Sequence, residues 1–374
     1  MSDPRSPAFQ SIAQSVIDHR ITTMFGLMGD ANLFMVDHYV RGCGGTFVPV
    51  AYEGSAVLMA QAWSHVSGKI GVATVTHGPA LTNCLTALIE GARGHVPMVL
   101  LAGDTPVMTP QNLQNIDQRE VVTLSGAGFE QIRSPATAAH DIAHAFFRAR
   151  VEKRPIVVNM PADFMWQEVE HKTIVFPGFS APAMVPEGED LENAIGMIAS
   201  ARRPVILAGG GATHARDTLI RLADRLEAPL ATTLKAKGLF NGHPFNMDIF
   251  GTLSTPAAYD LIAKADCIVC FGTSLHHFTT DKGGLMKGKR VVQVNDTVTE
   301  VAKNYHPDVA LVADAGLTAA NFVHWLDEAE IPPSGFTREL DMATLRYHPR
   351  VHNRPPKSGF VDFVEALERL GKAL

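Results

Sequence analysis

Cysteine, tyrosine and tryptophan are scarce in this chain, with 4, 5 and 3 copies among 374 residues. So few cysteines do not build a disulfide scaffold, and a reduced cytoplasm is the setting that fits. No charge of one sign dominates. The 32 basic and 38 acidic residues are dispersed, and no basic stripe marks a surface for nucleic acid or an anionic membrane. No apolar run reaches the ~18 residues that span a bilayer. The opening segment MSDPRSPAFQ lacks the basic-then-apolar pattern of a signal peptide.

What is present is core-forming material. Apolar residues make up 46% and charged residues 19%, which excludes disorder as the main state. At roughly 150 residues per domain, the length predicts two or three domains. Short apolar runs alternate with amphipathic patterns, the signature of parallel α/β structure. Strands are expected at Thr22–Gly26, Thr46–Val50, Ile70–Val75, Pro97–Ala102 and Pro155–Met160. Helices are expected near 6–19, 31–41, 53–67, 82–93 and 137–153. The runs VATV and MVLLA are apolar throughout, as suits strands covered on both faces.

The Pro-rich segment 171–190 (HKTIVFPGFSAPAMVPEGED) reads as a connection between domains. The α/β pattern then restarts with PVILAGG, PLATT, CIVCFG, VVQV and VALVA. Between the first two lies THARDTLIRLADRLEA, with Leu219, Leu222, Ala223 and Leu226 on one helical face. The expectation is therefore two doubly wound parallel-sheet domains, 1–170 and 191–330, followed by an extended tail and terminal helix over 331–374. In that helix Ser358 is the cap, and Phe360, Phe363, Val364, Leu367 and Leu370 form an apolar stripe that needs cover.

Ligands of open parallel sheets bind outside the carboxyl ends of the strands. Two places there hold chemistry. Glu53 follows the strand Thr46–Val50, and Thr76-His77-Gly78-Pro79-Ala80-Leu81-Thr82-Asn83 follows Ile70–Val75. Glu53 fits two readings. It is an acid in a helix's first turn, favoured by the helix dipole. It is also a carboxylate flanked by Ala51, Tyr52, Gly54, Ser55, Ala56, Val57 and Leu58, a largely apolar setting that strips its hydration and calls for a specific partner. The segment THGPALTN is likewise a turn into a capped helix, or a backbone loop that approaches a planar ligand closely at Gly78.

The run VAYEGSAVLMAQAWSHVSGKIGVATVTHGPALTN (50–83) resembles the pyrimidine-binding domain of thiamine-diphosphate enzymes of the acetolactate synthase group. So do PMVLLAGDTP (97–106), LQNIDQ (113–118) and RPIVVNMPADF (154–164), in the same order. RRPVILAGGGA (202–212), APLATTLKAKGLFNGHP (228–244), ADCIVCFGTSL (265–275) and TEVAKN (299–304) resemble that group's central domain. The resemblance spans about residues 5–325.

It implies a thiamine-dependent lyase or transferase, a decarboxylase or carboligase acting on 2-oxo acid or acyl substrates. Glu53 would hydrogen-bond N1′ of the aminopyrimidine and favour the imino tautomer whose 4′-nitrogen acts as base beside C2. Thr76, Gly78, Pro79 and Asn83 would line the pyrimidine pocket, with Leu27, Met28 and Gly29 over the ring. Gln114 stands where the group often has a substrate-side glutamine; the alternative is a solvated loop residue.

The sequence also departs from the group. Tyr52 precedes the acid where histidine is common, and Ala80 replaces a glycine. Asn295-Asp296-Thr297 stands in place of D-x-D, and Thr273-Ser274-Leu275 carries no arginine of the kind seen in FAD-binding members. Gly209–Gly211 is not a dinucleotide fingerprint, because His214 occupies the position of the third glycine. The central domain is therefore read as a scaffold, with Gly209, Gly210, Gly211 and Gly272 as the candidates for an FAD contact. Cys267 and Cys270 have metal spacing, but period two puts them on opposite strand faces, which favours two buried structural thiols. His276-His277 has no matching cluster, and no metal-ligating residues are assigned.

No G-D-G…N signature for a diphosphate-binding domain is found, and such a domain holds Mg2+ through hard oxygen ligands. The resemblance then implies a large subunit or a fragment that completes its site with a partner chain carrying that domain and Mg2+, as a homo- or hetero-oligomer. The competing readings are a non-catalytic binding or regulatory paralogue, and a flavin or nicotinamide protein that uses the central domain alone.

Overall fold

The structure, a computed structural model, describes residues 5–109, 111–177, 184–340, 361 and 363–373. It divides into two compact units, Met1–Ser180 and Ala181–Leu374. Each contains a six-stranded sheet whose paired strands all run parallel.

In the first unit the strands are β1 (Thr23–Gly26), β2 (Thr46–Pro49), β3 (Gly71–Val75), β4 (Met98–Asp104), β5 (Gly128–Gln131) and β6 (Pro155–Pro161). Their spatial order is β2-β1-β3-β4-β6-β5. The helices are α1 (Ala8–Asp18), α2 (Leu33–Arg41), α3 (Glu53–Ser67), α4 (Pro79–Asn83), α5 (Leu85–Arg93), α6 (Gln118–Ser125) and α7 (Ala138–Glu152). Residues β3 to β6 alternate between two cores, as the two-residue strand period requires. Val72, Val99, Leu101, Ile156 and Val158 meet α1, α2 and α7 on one face. Ala73, Val75, Leu100, Ala102 and Val157 meet α3, α4, α5 and α6 on the other. Both faces are covered, which is why these strands read as unbroken apolar runs.

Three features differ from the sequence expectation. The edge strand β5 is GFEQ, too short and too polar to announce itself. Helix α6 (QREVVTLS) buries Gln118 and Ser125 as well as Val122, so it shows no apolar stripe. The helix expected at 82–93 begins earlier, at Pro79, and breaks at Cys84 into α4 and α5.

The second unit has β7 (Pro204–Ala208), β8 (Leu230–Thr232), β9 (Asn246–Ile249), β10 (Cys267–Phe271), β11 (Arg290–Asn295) and β12 (Val309–Val312). Their order is β9-β8-β7-β10-β11-β12, the arrangement of a dinucleotide-type doubly wound sheet. The edge strand β9 was not expected from the sequence. Helices α8 (Glu189–Ala199), α9 (Arg216–Leu226), α10 (Pro256–Lys264), α11 (His277–Thr280) and α12 (Ala315–Glu328) flank it. As expected, Leu219, Leu222, Ala223 and Leu226 are buried along α9. Cys267 and Cys270 sit in the two opposite cores.

The segment expected to be a loose tail from 331 begins as part of this unit. Phe336 is in its core, and the backbone N–H groups of Ser334 and Thr337 donate to the carbonyls of Leu226 and Glu227. The terminal helix, α13 (Phe363–Ala373), leaves Leu367 and Leu370 exposed. Ser358 and Phe360 lie outside the described residues. No helix among the described residues is long and apolar enough to cross a membrane.

Candidate active site

In the first unit β1 and β3 are neighbours, but their connections leave for opposite faces of the sheet. Residues 27–32 lead to α2 and residues 76–78 lead to α4. A crevice opens outside the carboxyl ends at such a point. Asn32 is buried and fixes the first loop: its Oδ1 accepts from Gly29 N at 2.7 Å, and its Nδ2 donates to Leu27 O at 3.2 Å and Thr74 Oγ1 at 3.1 Å. The two loops touch closely. A β-carbon on Gly29 would come within 2.6 Å of Thr76 Cβ. The Thr76 hydroxyl donates to Asp30 Oδ1 at 3.1 Å.

Gly78 has φ +59°, a left-handed backbone that favours glycine. A side chain there would also collide with the Gln114 carbonyl oxygen. Gln114, in the loop before α6, is thus brought against the loop after β3. Pro79 opens α4 at its first turn, where the missing N–H is no loss.

Glu53 is the first residue of α3, and Asn83 is the last of α4. Asn83 Nδ2 donates to Glu53 Oε2 at 2.9 Å. The Tyr52 hydroxyl donates to Asn83 O at 3.0 Å. Two segments 30 residues apart in sequence are thereby joined at one rim of the sheet. Glu53 Oε1 has no hydrogen-bond partner among the described residues. The adjacent Cys84 thiol is buried and is pushed up to about 12 by that burial, with the Glu53 carboxylate adding to it.

One expectation is corrected here. The apolar neighbours do not bury Glu53; it is half-buried, and Tyr52 and Leu58 are themselves about half exposed. The reason lies in how α3 packs. It turns Gly54, Ala56, Val57, Ala60, Gln61 and Ser64 inward, and leaves Leu58, Met59, Trp63 and Val66 exposed. Gln61 and Ser64 are satisfied inside by the carbonyls of Ala87 and Pro97, each at 2.7 Å. The larger side chains face outward.

The sequence reading missed His77. It is buried, its Nε2 lies 3.4 Å from Asp30 Oδ1, and its Nδ1 has no hydrogen-bond partner. A histidine among the small residues of T-H-G-P was the available signal.

In the second unit, Gly209, Gly211 and Gly272 are used in packing. Gly209 N donates to Phe271 O at 2.8 Å, and Gly211 N to Gly272 O at 3.2 Å. A β-carbon on Gly209 or Gly272 would strike the facing backbone, whereas one on Gly210 would meet only Lys235 Cβ at 3.7 Å. Close approach of two loops therefore requires three of the four glycines without any ligand. The Cys267 thiol is held up at about 12 by burial, and burial pushes Cys270 higher still.

Comparison with known families fits this division into units. Residues 8–121 match the N-terminal TPP-binding domain of thiamine pyrophosphate enzymes, and residues 191–322 match the central domain of the same enzymes. The chain carries the N-terminal and central domains of a thiamine pyrophosphate enzyme. A sulfoacetaldehyde acetyltransferase from Rhodobacter capsulatus is 31% identical over 80% of this chain and 52% of its own length. An acetolactate synthase large subunit from Parasynechococcus marenigrum is 28% identical over 86% of this chain and 55% of its own. An acetolactate synthase from Mycobacterium leprae is 27% identical over 86% and 53%. The chain spans about half the length of these relatives. The candidate residues from Leu27 to Gln114 all lie within the matched N-terminal domain.

Proposed function

We propose that this chain is the pyrimidine-binding side of a thiamine-diphosphate enzyme that breaks or forms carbon–carbon bonds of 2-oxo acids. The reaction class is that of a decarboxylase or carboligase of the acetolactate synthase kind, a lyase or transferase. The site is completed by a domain that binds the diphosphate and Mg2+, carried on a partner chain or on a continuation of this one.

The observation that carries the reading is the Asn83–Glu53 hydrogen bond at the rim of the β1/β3 crevice. It holds one carboxylate oxygen and leaves the other open toward a ligand. An acceptor fixed in this way suits the N1′ position of an aminopyrimidine. Thiamine diphosphate, when bound, supplies the carbon nucleophile that the protein's own side chains lack. Glu53 holds a proton at the ring nitrogen, and Asn83 keeps the carboxylate from rotating away. Thr76, Gly78 and Pro79 bring backbone close to the ring from one loop, with Leu27, Met28 and Gly29 approaching from the other. Gln114 faces the substrate from the loop before α6.

The outer face of α3 supports the need for another domain. Leu58, Met59, Trp63 and Val66 form an exposed apolar surface beside the acid, and such surfaces mark interaction sites. The relatives are about twice as long as the matched segment. Flavin adenine dinucleotide stays outside the reading, because packing already accounts for Gly209, Gly211 and Gly272.

The deciding experiment reconstitutes the chain with a diphosphate-domain chain and measures thiamine diphosphate binding and 2-oxo acid turnover. Glu53→Gln is expected to lower turnover by at least ~1,000-fold while cofactor binding persists. Full turnover in that variant would overturn the assignment of Glu53. Native isolation of a different stable partner, without thiamine diphosphate binding, would favour a non-catalytic role.

A further inference from the structure

The first unit has a second place where connections diverge. The chain leaves β4 for α6, on the α3 side of the sheet, and leaves β5 for α7, on the α1 side. Strand β6 lies between β4 and β5. Loops that part to opposite faces leave a crevice outside the carboxyl ends. A cavity of about 560 Å3 occupies this position, lined by Asp104, Asp117, Arg119, Phe129, Gln131 and Asn159 among others. Its size suits a small ligand.

Its two sides differ in chemistry. On the floor, Asn159 is buried and donates through Nδ2 to Asp104 Oδ2 at 2.6 Å and to Gln131 Oε1 at 2.9 Å. Gln118, also buried, donates through Nε2 to Gly103 O at 2.9 Å and to Asn159 Oδ1. The amide hydrogens of Gln118 and Asn159 are thus committed, and one of Gln131 donates to Ile132 O at 3.1 Å; the spare capacity on the floor is chiefly lone pairs, led by those of the Asp104 carboxylate, with one Gln131 N–H left over. Such a floor seeks a donor, best a cation. On the other side Arg119 lies over Phe129, its Cζ 4.4 Å from the ring centroid. The aromatic face holds the guanidinium in place. It pairs with no carboxylate among the described residues, so its hydrogen-bonding fork is available to an anion.

We infer that this cavity binds a small zwitterion of the α-amino acid class, its ammonium toward Asp104 and its carboxylate toward Arg119. A simple anion would leave the carboxylate side uncompensated, and a simple amine would do the same to Arg119. Occupancy reaches the first crevice through one side chain. Gln118, which lines the cavity, accepts from Gly78 N at 2.8 Å. The site does not depend on thiamine binding, and its test needs no turnover.

The full chain is titrated with each standard amino acid while backbone amide resonances are followed. At least one is expected to saturate with a Kd below about 1 mM and to shift the Gly78 amide. Its deaminated 2-oxo acid and its decarboxylated amine should each bind at least about tenfold more weakly. Arg119→Ala and Asp104→Asn should each weaken it by at least about tenfold, at a thermal midpoint that shows both variants folded. The inference is overturned if no amino acid saturates, if the 2-oxo acid binds as tightly as its amino acid, or if Arg119→Ala binds like the parent.

Discussion

The carboxamide of Asn83 donates to Oε2 of Glu53 over 2.9 Å and joins the end of α4 to the start of α3. An acid at a helix N-terminus is otherwise free to turn toward solvent. Here one oxygen is held and the other is presented. Asn83→Ala should therefore cut turnover of the reconstituted enzyme about tenfold, the effect of one hydrogen bond to a charged group. Stability of the isolated chain should change by less than ~1 kcal/mol, because the bond lies at the surface. Steady-state kinetics alongside urea unfolding checks both.

Gly78→Ala should be harsher on the fold. The position has φ +59°, and the new methyl group would run into the Gln114 carbonyl. A loss of ~1–3 kcal/mol in unfolding free energy is expected. Ordinary stability in this variant would mean that the loop around Gln114 moves aside at little cost.

Replacing Val66 by Asp should leave the thermal midpoint nearly unchanged, since Val66 is 86% exposed. Affinity for the diphosphate-binding partner should fall at least about tenfold. Sedimentation of the mixture reads the difference directly. Undiminished association would place the partner elsewhere.

Thiol labelling of the native chain should distinguish Cys43 from the rest. Cys43 is partly buried, whereas Cys84, Cys267 and Cys270 are fully buried, and burial raises all of these thiols. With a maleimide, mass spectrometry should find Cys43 modified first and slowly, and all 4 cysteines modified only after unfolding. Early modification of Cys267 or Cys270 would mean that the second sheet opens.

Asp18 gives a pH signature. Burial acts to raise its carboxyl, but hydrogen bonds from Gln14, His171 and Thr173 outweigh that and hold it below the usual 3.8. A carboxyl lowered by folding stabilises above its ordinary value and loses that contribution as pH falls through the folded value. Asp18→Asn should therefore destabilise the chain by ~1 kcal/mol near neutral pH. The gap between variant and parent should close in acid well below 3.8. A gap that persists there would assign the effect to packing.

Much of this was legible in the sequence, for identifiable reasons. Strands β3, β4 and β6 are buried on both faces, so their unbroken apolar runs were visible. The order of Glu53 and Asn83 after successive strands placed both on one rim. Strand β5 and helix α6 escaped notice because their buried positions include polar groups such as Gln118, whose burial depends on partners far away in sequence. The exposure of Glu53 was misjudged for a related reason. Composition gives the character of the residues around an acid but not the side of the helix they occupy.

Helix α3 lies so close to β3 that a side chain on Gly71 would run into the Ala60 carbonyl. The residues beneath the helix are therefore a spacer of fixed thickness, and Glu53 rides on top of it. Adding a methyl group at Ala56 or Ala60 would raise the whole rod and carry the acid outward, with every residue of the crevice itself unchanged. Mutations that silence such a protein should thus accumulate under the helix as well as around the carboxylate.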